Sequence, residues 1–165
     1  MDLDLRRWLR HVFTSPWTVK RTFPASTLQT LEAAISATER LHGGELRWAI
    51  EGSLDFPQLW QDLSPRERAV ELFSHLRMWD TEANNGVLVY VLLADHAVEI
   101  VADRGYGDLS QQADWQAACR AIESRFAQGD HERGVIEVTE LIGSLIARQF
   151  PAIDRDELPN ATVLL

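Results

Sequence analysis

Residues 85–107 read NGVLVYVLLADHAVEIVADRGYG, and this stretch decides the fold. It holds two apolar runs, 87–93 and 97–102. Both are rich in β-branched residues and bounded by turn formers, the pattern of buried strands. Asp95-His96 between them is short enough for a tight hairpin, so the two strands are expected antiparallel. A two-residue turn there pairs Ala94 with Ala97 and Leu88 with Asp103.

Upstream, Ser64-Pro65-Arg66-Glu67 is a strong helix start, with serine at the N-cap, proline at N1 and glutamate at N3. Ala69, Val70, Phe73 and Leu76 form an apolar stripe that Trp79 continues, which predicts a helix over 64–79. Before it, 45–50 (ELRWAI) alternates polar and apolar residues and reads as a strand. Strand, helix and strand make a βαβ unit with parallel strands, and the hairpin adds an antiparallel one, so the sheet is mixed. The connection 51–63 carries Leu54, Phe56, Leu59 and Trp60, which predict packing on the body.

Helices flank this unit. Ser26, with Gln29 three residues on, predicts a capped helix whose apolar face is Leu28, Leu31, Ile35 and Thr38, with Leu41 beyond. Trp115, Cys119, Ile122 and Phe126 recur at helical spacing, and Gly129 closes that helix. Asp130 opens the next one, where Val135, Val138, Leu141, Ile142, Leu145 and Ile146 form a wide apolar face ended by Pro151. The tryptophans read mostly as core. The expected organisation is a basic, aromatic helical segment over 1–24, an α/β domain over 25–151 and a tail over 152–165 that reads as mobile.

The chain has 165 residues and a formal charge of −9, a poor match to nucleic acid, whose phosphates require Lys and Arg. The charge is uneven. Residues 1–22 carry five basic against two acidic side chains, a net +3, which leaves −12 on the remainder. Within 3–13, Leu3, Trp8 and Phe13 are interleaved with Arg6, Arg7 and Arg10. This is either a membrane-surface or partner-docking helix, or a helix packed on the domain with its arginines in solvent. The second reading is favoured here, because the segment is short and carries Asp2 and Asp4. No apolar run reaches the length of a membrane helix and no signal-peptide core is present. Cys119 is the single cysteine. The chain therefore reads as cytoplasmic, with the N-terminal segment able to make it peripheral to a membrane.

One candidate site follows from the pairing. Asp103 falls at the end of the sheet where the 87–93 strand begins. Asp80, Glu82, Asn84 and Asn85 immediately precede that strand, and Asp108 follows Gly105-Tyr106-Gly107 on the same side. Gly105 and Gly107 permit close backbone approach. Carboxylate and amide oxygens suit Ca²⁺ or Mg²⁺ rather than zinc. The alternative is that these are ordinary solvated loop carboxylates. His42, His75, His96 and His131 do not cluster, and Cys119 reads as a buried, inert thiol.

The order of elements and the central stretch resemble the TPM domain. This family includes a thylakoid-lumen acid-phosphatase-like protein of the photosystem II repair cycle and many bacterial proteins. Asn85-Gly86-Val87-Leu88 opens the strand as in that family. Val98-Glu99-Ile100 matches in the hairpin partner, Gly105-Tyr106-Gly107 after it, and Phe126 with Gly129-Asp130 before the last helix. The stretch 77–82 looks like a feature of a bacterial subgroup. The resemblance covers about 26–150. It implies an α/β/α sandwich with a small mixed sheet and calcium near the acidic loops. The leading expectation is a binding module for a partner protein, a membrane-associated one included. The competing expectation, implied by the resemblance, is a metal-assisted acid phosphatase. The acids for that chemistry are present, with Arg104 nearby as a cation, but no nucleophile is marked and catalytic residues stay unassigned.

Overall fold

The computed structural model describes residues 4–107, 110–151 and 158–165. The elements run α1 (Leu5–Phe13), α2 (Pro16–Thr22), α3 (Ala25–Glu39), β1 (Glu45–Glu51), α4 (Phe56–Trp60), α5 (Pro65–His75), β2 (Gly86–Leu92), β3 (Ala97–Ala102), a one-turn 3₁₀ helix (Arg104–Tyr106), α6 (Ser110–Ala127), α7 (His131–Gln149) and β4 (Val163–Leu164). The sheet order is β3-β2-β1-β4. β1 and β2 are parallel and β3 is antiparallel to β2, the expected mixed sheet.

Alternation along the strands divides the core into two layers. Leu46, Trp48 and Ile50 of β1 and Val87, Val89 and Val91 of β2 face one side, with the apolar faces of α3, α6 and α7 over them. Ala49 of β1 and Leu88, Tyr90 and Leu92 of β2 face the other, covered by Ala69, Leu72 and Phe73 of α5 and Leu59 of α4. All seven β2 residues are buried, as a central strand with both faces covered must be. The result is an α/β/α sandwich.

Several local expectations are corrected. α5 begins at its capping box, with reciprocal bonds between Ser64 and Glu67, but it stops at His75 rather than Trp79. Arg77 takes a left-handed conformation, φ 55°. Its N–H donates to the Ser74 carbonyl and that of Met78 to the Phe73 carbonyl, while Met78 is fully buried. This is a Schellman turn with arginine in the place glycine usually takes. Trp79 is left half-exposed, as are Trp60 and Trp17, so the tryptophans are not mostly core. Phe56 is also exposed, although Leu54 and Leu59 pack down as expected. α3 enters at Ala25 behind Pro24, so Ser26 lies inside its first turn and does not cap it. Its end at Glu39 leaves Leu41 exposed.

The hairpin turn has four residues, not two. Leu92 pairs with Ala97 and Val87 with Ala102. The Leu93 and Ala94 N–H groups go instead to the carbonyls of Glu51 and Gly52, and His96 closes the turn at φ 52°. The register therefore moves by two residues, which keeps every side chain on its expected face but sets Asp103 beside Gly86 rather than Leu88. At the other edge of the sheet, the end of the chain is tied down: β4 pairs in parallel with β1, and the Leu165 N–H donates to the Ile50 carbonyl.

α1 packs on the domain as favoured and leaves Arg6 and Arg10 exposed, but Arg7 and His11 turn inward. Asp95, at the hairpin turn, meets Arg7 Nε at 3.0 Å, Arg10 Nη2 at 3.2 Å and His11 Nε2 at 3.1 Å. Arg7 also reaches Asp62 at 2.8 Å and the Leu63 carbonyl. His11 Nδ1 accepts from the Leu54 N–H, so Nε2 carries its proton.

Candidate functional site

The loop entering β2 and the loop leaving β3 are knitted together at one end of the sheet. The Asn85 N–H donates to Thr81 Oγ1 at 3.1 Å, which folds the first loop on itself. Asn84 sits at φ 52°, a conformation asparagine tolerates well, and this turns its carbonyl toward the second loop. There it accepts from the Gly105 N–H at 2.9 Å, while Asn84 Oδ1 accepts from Arg104 Nε at 2.8 Å. The Asn85 carbonyl accepts from the Tyr106 hydroxyl at 2.8 Å and from the Glu45 N–H. A Cβ on Gly105 would lie 2.3 Å from the Asn84 carbonyl oxygen, so only glycine lets the loops approach this closely.

Asp103 anchors the second loop. Its N–H donates to the Gly86 carbonyl, and its Oδ1 accepts from the Arg104 N–H at 2.7 Å, capping the 3₁₀ helix. Two oxygens at this junction are shielded from solvent and have no hydrogen-bond partner among the described residues: Asn85 Oδ1 and Asp103 Oδ2. Asn85 is fully buried and spends its amide N–H on the Gly43 carbonyl, so its orphan atom is an acceptor. Tyr106 is buried beside them. Burial, with the charges of Asp103 and Glu45, pushes its hydroxyl well above the ordinary tyrosine range, so it donates as a neutral phenol.

Of the residues singled out in the sequence, Asn84, Asn85 and Asp103 are thus brought together. Asp80 and Glu82 are exposed on the first loop. Asp108 lies outside the described residues. Among the described residues, no three His, Cys, Asp or Glu side chains converge to hold a metal ion.

Sequence reasoning missed the cleft beside Asp103. It has a volume of about 550 Å³, and its walls include Arg66, Glu99, Arg104, Trp115 and Cys119. Arg66 comes from the first turn of α5, Glu99 from β3 and Cys119 from α6, so only packing brings them together. Burial raises the Glu99 carboxyl, with Arg66 opposing and Glu123 reinforcing. Burial and the nearby Glu99 and Glu123 push the Cys119 thiol up to about 11, which makes it a poor nucleophile at neutral pH, as its apolar helix position predicts. A second unforeseen polar group lies under α5. Buried Glu51 accepts from Arg68 Nε and Nη2, at 3.0 and 2.9 Å, and from the Tyr90 hydroxyl at 2.6 Å. It is fully partnered and enclosed, hence structural.

Comparison with known proteins agrees with this architecture. Residues 19–145 match the family model described as the TPM domain. The chain is also similar to the NMR structure of BA42 from the psychrophilic bacterium Bizionia argentinensis, with 30% identity and a TM-score of 0.75. That similarity covers 87% of this chain and 95% of the other. No curated protein matches the chain. Among the described residues, no helix is long and apolar enough to cross a membrane. On the strength of the family match and of the shared α/β/α architecture, the chain belongs to the TPM domain family.

Proposed function

We propose that this TPM domain is a binding module, in which a divalent cation, Ca²⁺ or Mg²⁺, orders the loops beside the cleft and a partner protein docks against them. The observation that carries the reading is the pair of orphaned oxygens, Asn85 Oδ1 and Asp103 Oδ2, at the loop junction. Buried acceptors without a donor are costly, and a hard cation accepts oxygen ligands of this kind. Asn85 and Asp103 would supply the inner oxygens. Asp80, Glu82 and Asp108 are the carboxylates on the same loops that would add charge, and water would fill the remaining positions. Asn84 would join only by releasing Arg104 from its Oδ1. The unpaired thiol of Cys119 fits a reducing, cytoplasmic setting.

Thermal melting across a calcium titration, with magnesium in parallel, tests the reading. A cation that binds only the folded state stabilises it by about 2.7 kcal/mol at a hundredfold excess over Kd. The expected result is a rise in Tm that Asp103→Asn removes. No rise at millimolar cation, or a rise that survives Asp103→Asn, would defeat it.

A metal-assisted acid phosphatase is the second reading, and the feature favouring it is the cleft itself. Arg66 and Arg104 line it with Asp103, and guanidinium groups suit phosphate oxygens. The thiol on the cleft wall, Cys119, is held protonated by burial and by the nearby Glu99 and Glu123, so turnover of an aryl phosphate at mildly acidic pH should be slight. Robust turnover abolished by Asp103→Asn in a folded protein would reverse the ranking.

A further inference from the structure

The N-terminal helices point to a function separate from the cleft. α1 turns Arg7 and His11 onto the body, which leaves its apolar residues outside: Leu5 is 68% exposed, Val12 70% and Phe13 79%, with Leu9 between them. At 100° per residue these four lie on one arc opposite Arg7 and His11, with Arg6 and Arg10 along its margin. Trp17 of α2 is 67% exposed, and the Arg21 guanidinium stands 5.6 Å over its ring. On the other margin of the arc, Trp8 meets exposed Phe56 edge-on at 5.3 Å, and Phe56 stacks on Trp60. A short helix held by Arg7 and His11, with leucine, valine and aromatic rings turned outward on one arc, presents an apolar patch of the kind that marks an interaction surface.

We propose that this face docks the protein on an anionic lipid surface. The charge distribution selects that occupant. Arg6, Lys20 and Arg21 are exposed on the two N-terminal helices, while Arg7 and Arg10 are matched by Asp95 and Asp62; residues 1–22 with these two aspartates carry net +1, and the rest of the chain carries −10. An anionic bilayer attracts this end and repels the remainder, so the molecule meets it in one orientation. Tryptophan and phenylalanine beside arginine suit the headgroup boundary, where one end of the ring is apolar and the other wet. A second copy of the chain fits less well, because an isologous dimer through this face would set the same three cations against their copies.

The test is co-sedimentation of the full chain with vesicles of phosphatidylcholine, with and without phosphatidylserine. Capture is expected on the anionic vesicles and not on the neutral ones. Lys20→Glu/Arg21→Glu should weaken it by at least about fivefold per cation removed. Phe13→Asp should weaken it at least about tenfold, because the ring no longer leaves water. Both variants change exposed side chains, and circular dichroism and thermal melting check that they fold like the wild type. Failure to sediment with anionic vesicles, or equal capture by neutral ones, overturns the proposal. So does a dimer in sedimentation velocity that Phe13→Asp dissolves, which would assign the face to a second copy.

Discussion

Replacing Asp95 with alanine removes the carboxylate on which α1 is clamped. The Asp95 and Arg7 side chains are 7% and 13% exposed, so their pair is largely withdrawn from water. Breaking such a pair from one side costs about 3–5 kcal/mol when the surviving charge is stranded. Here Arg7 retains Asp62 and the Leu63 carbonyl, which lowers the figure. Arg10 is 43% exposed and contributes no more than about 0.5 kcal/mol. The expected loss is about 2–3 kcal/mol, confined to the docking of α1. Amide hydrogen exchange reads it directly: α1 amides should exchange roughly 30- to 150-fold faster, at 1.4 kcal/mol per decade, while α7 amides hold their rates. A double-mutant cycle with Arg7→Ala should return a coupling above about 1 kcal/mol. Exchange of α1 within about threefold of wild type, or additive effects in the cycle, would refute the clamp.

Three further outcomes are expected. Arg68→Met leaves Glu51 buried with only the Tyr90 hydroxyl and should cost about 3 kcal/mol in urea unfolding; Tyr90→Phe keeps both arginine bonds and should cost about 1 kcal/mol, and the reverse order would undo the reading. Gly105→Ala should lower stability by about 2–3 kcal/mol, because its Cβ would strike two carbonyl oxygens of the facing loop, whereas at Gly107 the nearest atom stands at 3.2 Å and alanine should be milder by thermal melting. Acid should destabilise the fold. Burial holds His11 below 6.5 against the pull of Asp95, with Arg7 and Arg10 adding to the depression, and burial does the same to His42. Between 6.5 and each depressed value the unfolded chain binds the proton and the folded chain does not, so stability is full above 6.5 and falls as pH drops below it. Asp95, which burial raises but Arg7 and His11 hold below 3.8, extends the loss to lower pH. Urea midpoints at pH 7.5 and 5.5 measure this slope, and His11→Asn with His42→Asn should flatten it; an unchanged slope would show that neither histidine carries it.

What the amino-acid sequence determined by itself was whatever neighbouring residues decide among themselves. The capping box at Ser64 starts α5, and the two apolar runs became β2 and β3 on their expected faces. Gly129, at φ 77°, closes α6 through a Schellman turn that glycine announces. The same turn ends α5 at Arg77, where nothing local marks it; the burial of Met78 against the sheet selects the left-handed backbone there. The candidate site divides along the same line. Strand pairing has a period of two, so Asp103 was bound to reach the start of β2, and even a two-residue error in the turn kept it near Asn84 and Asn85. The turn length itself depends on Asp95 and Ala94 meeting Arg7 and Arg10, 84 to 88 residues away in the chain. So does the inward face of α1. Amphipathicity gives a helix two faces, but only the partners available across the tertiary structure decide which face turns inward. Here a buried carboxylate drew in Arg7 and His11 and left the apolar side to the surroundings.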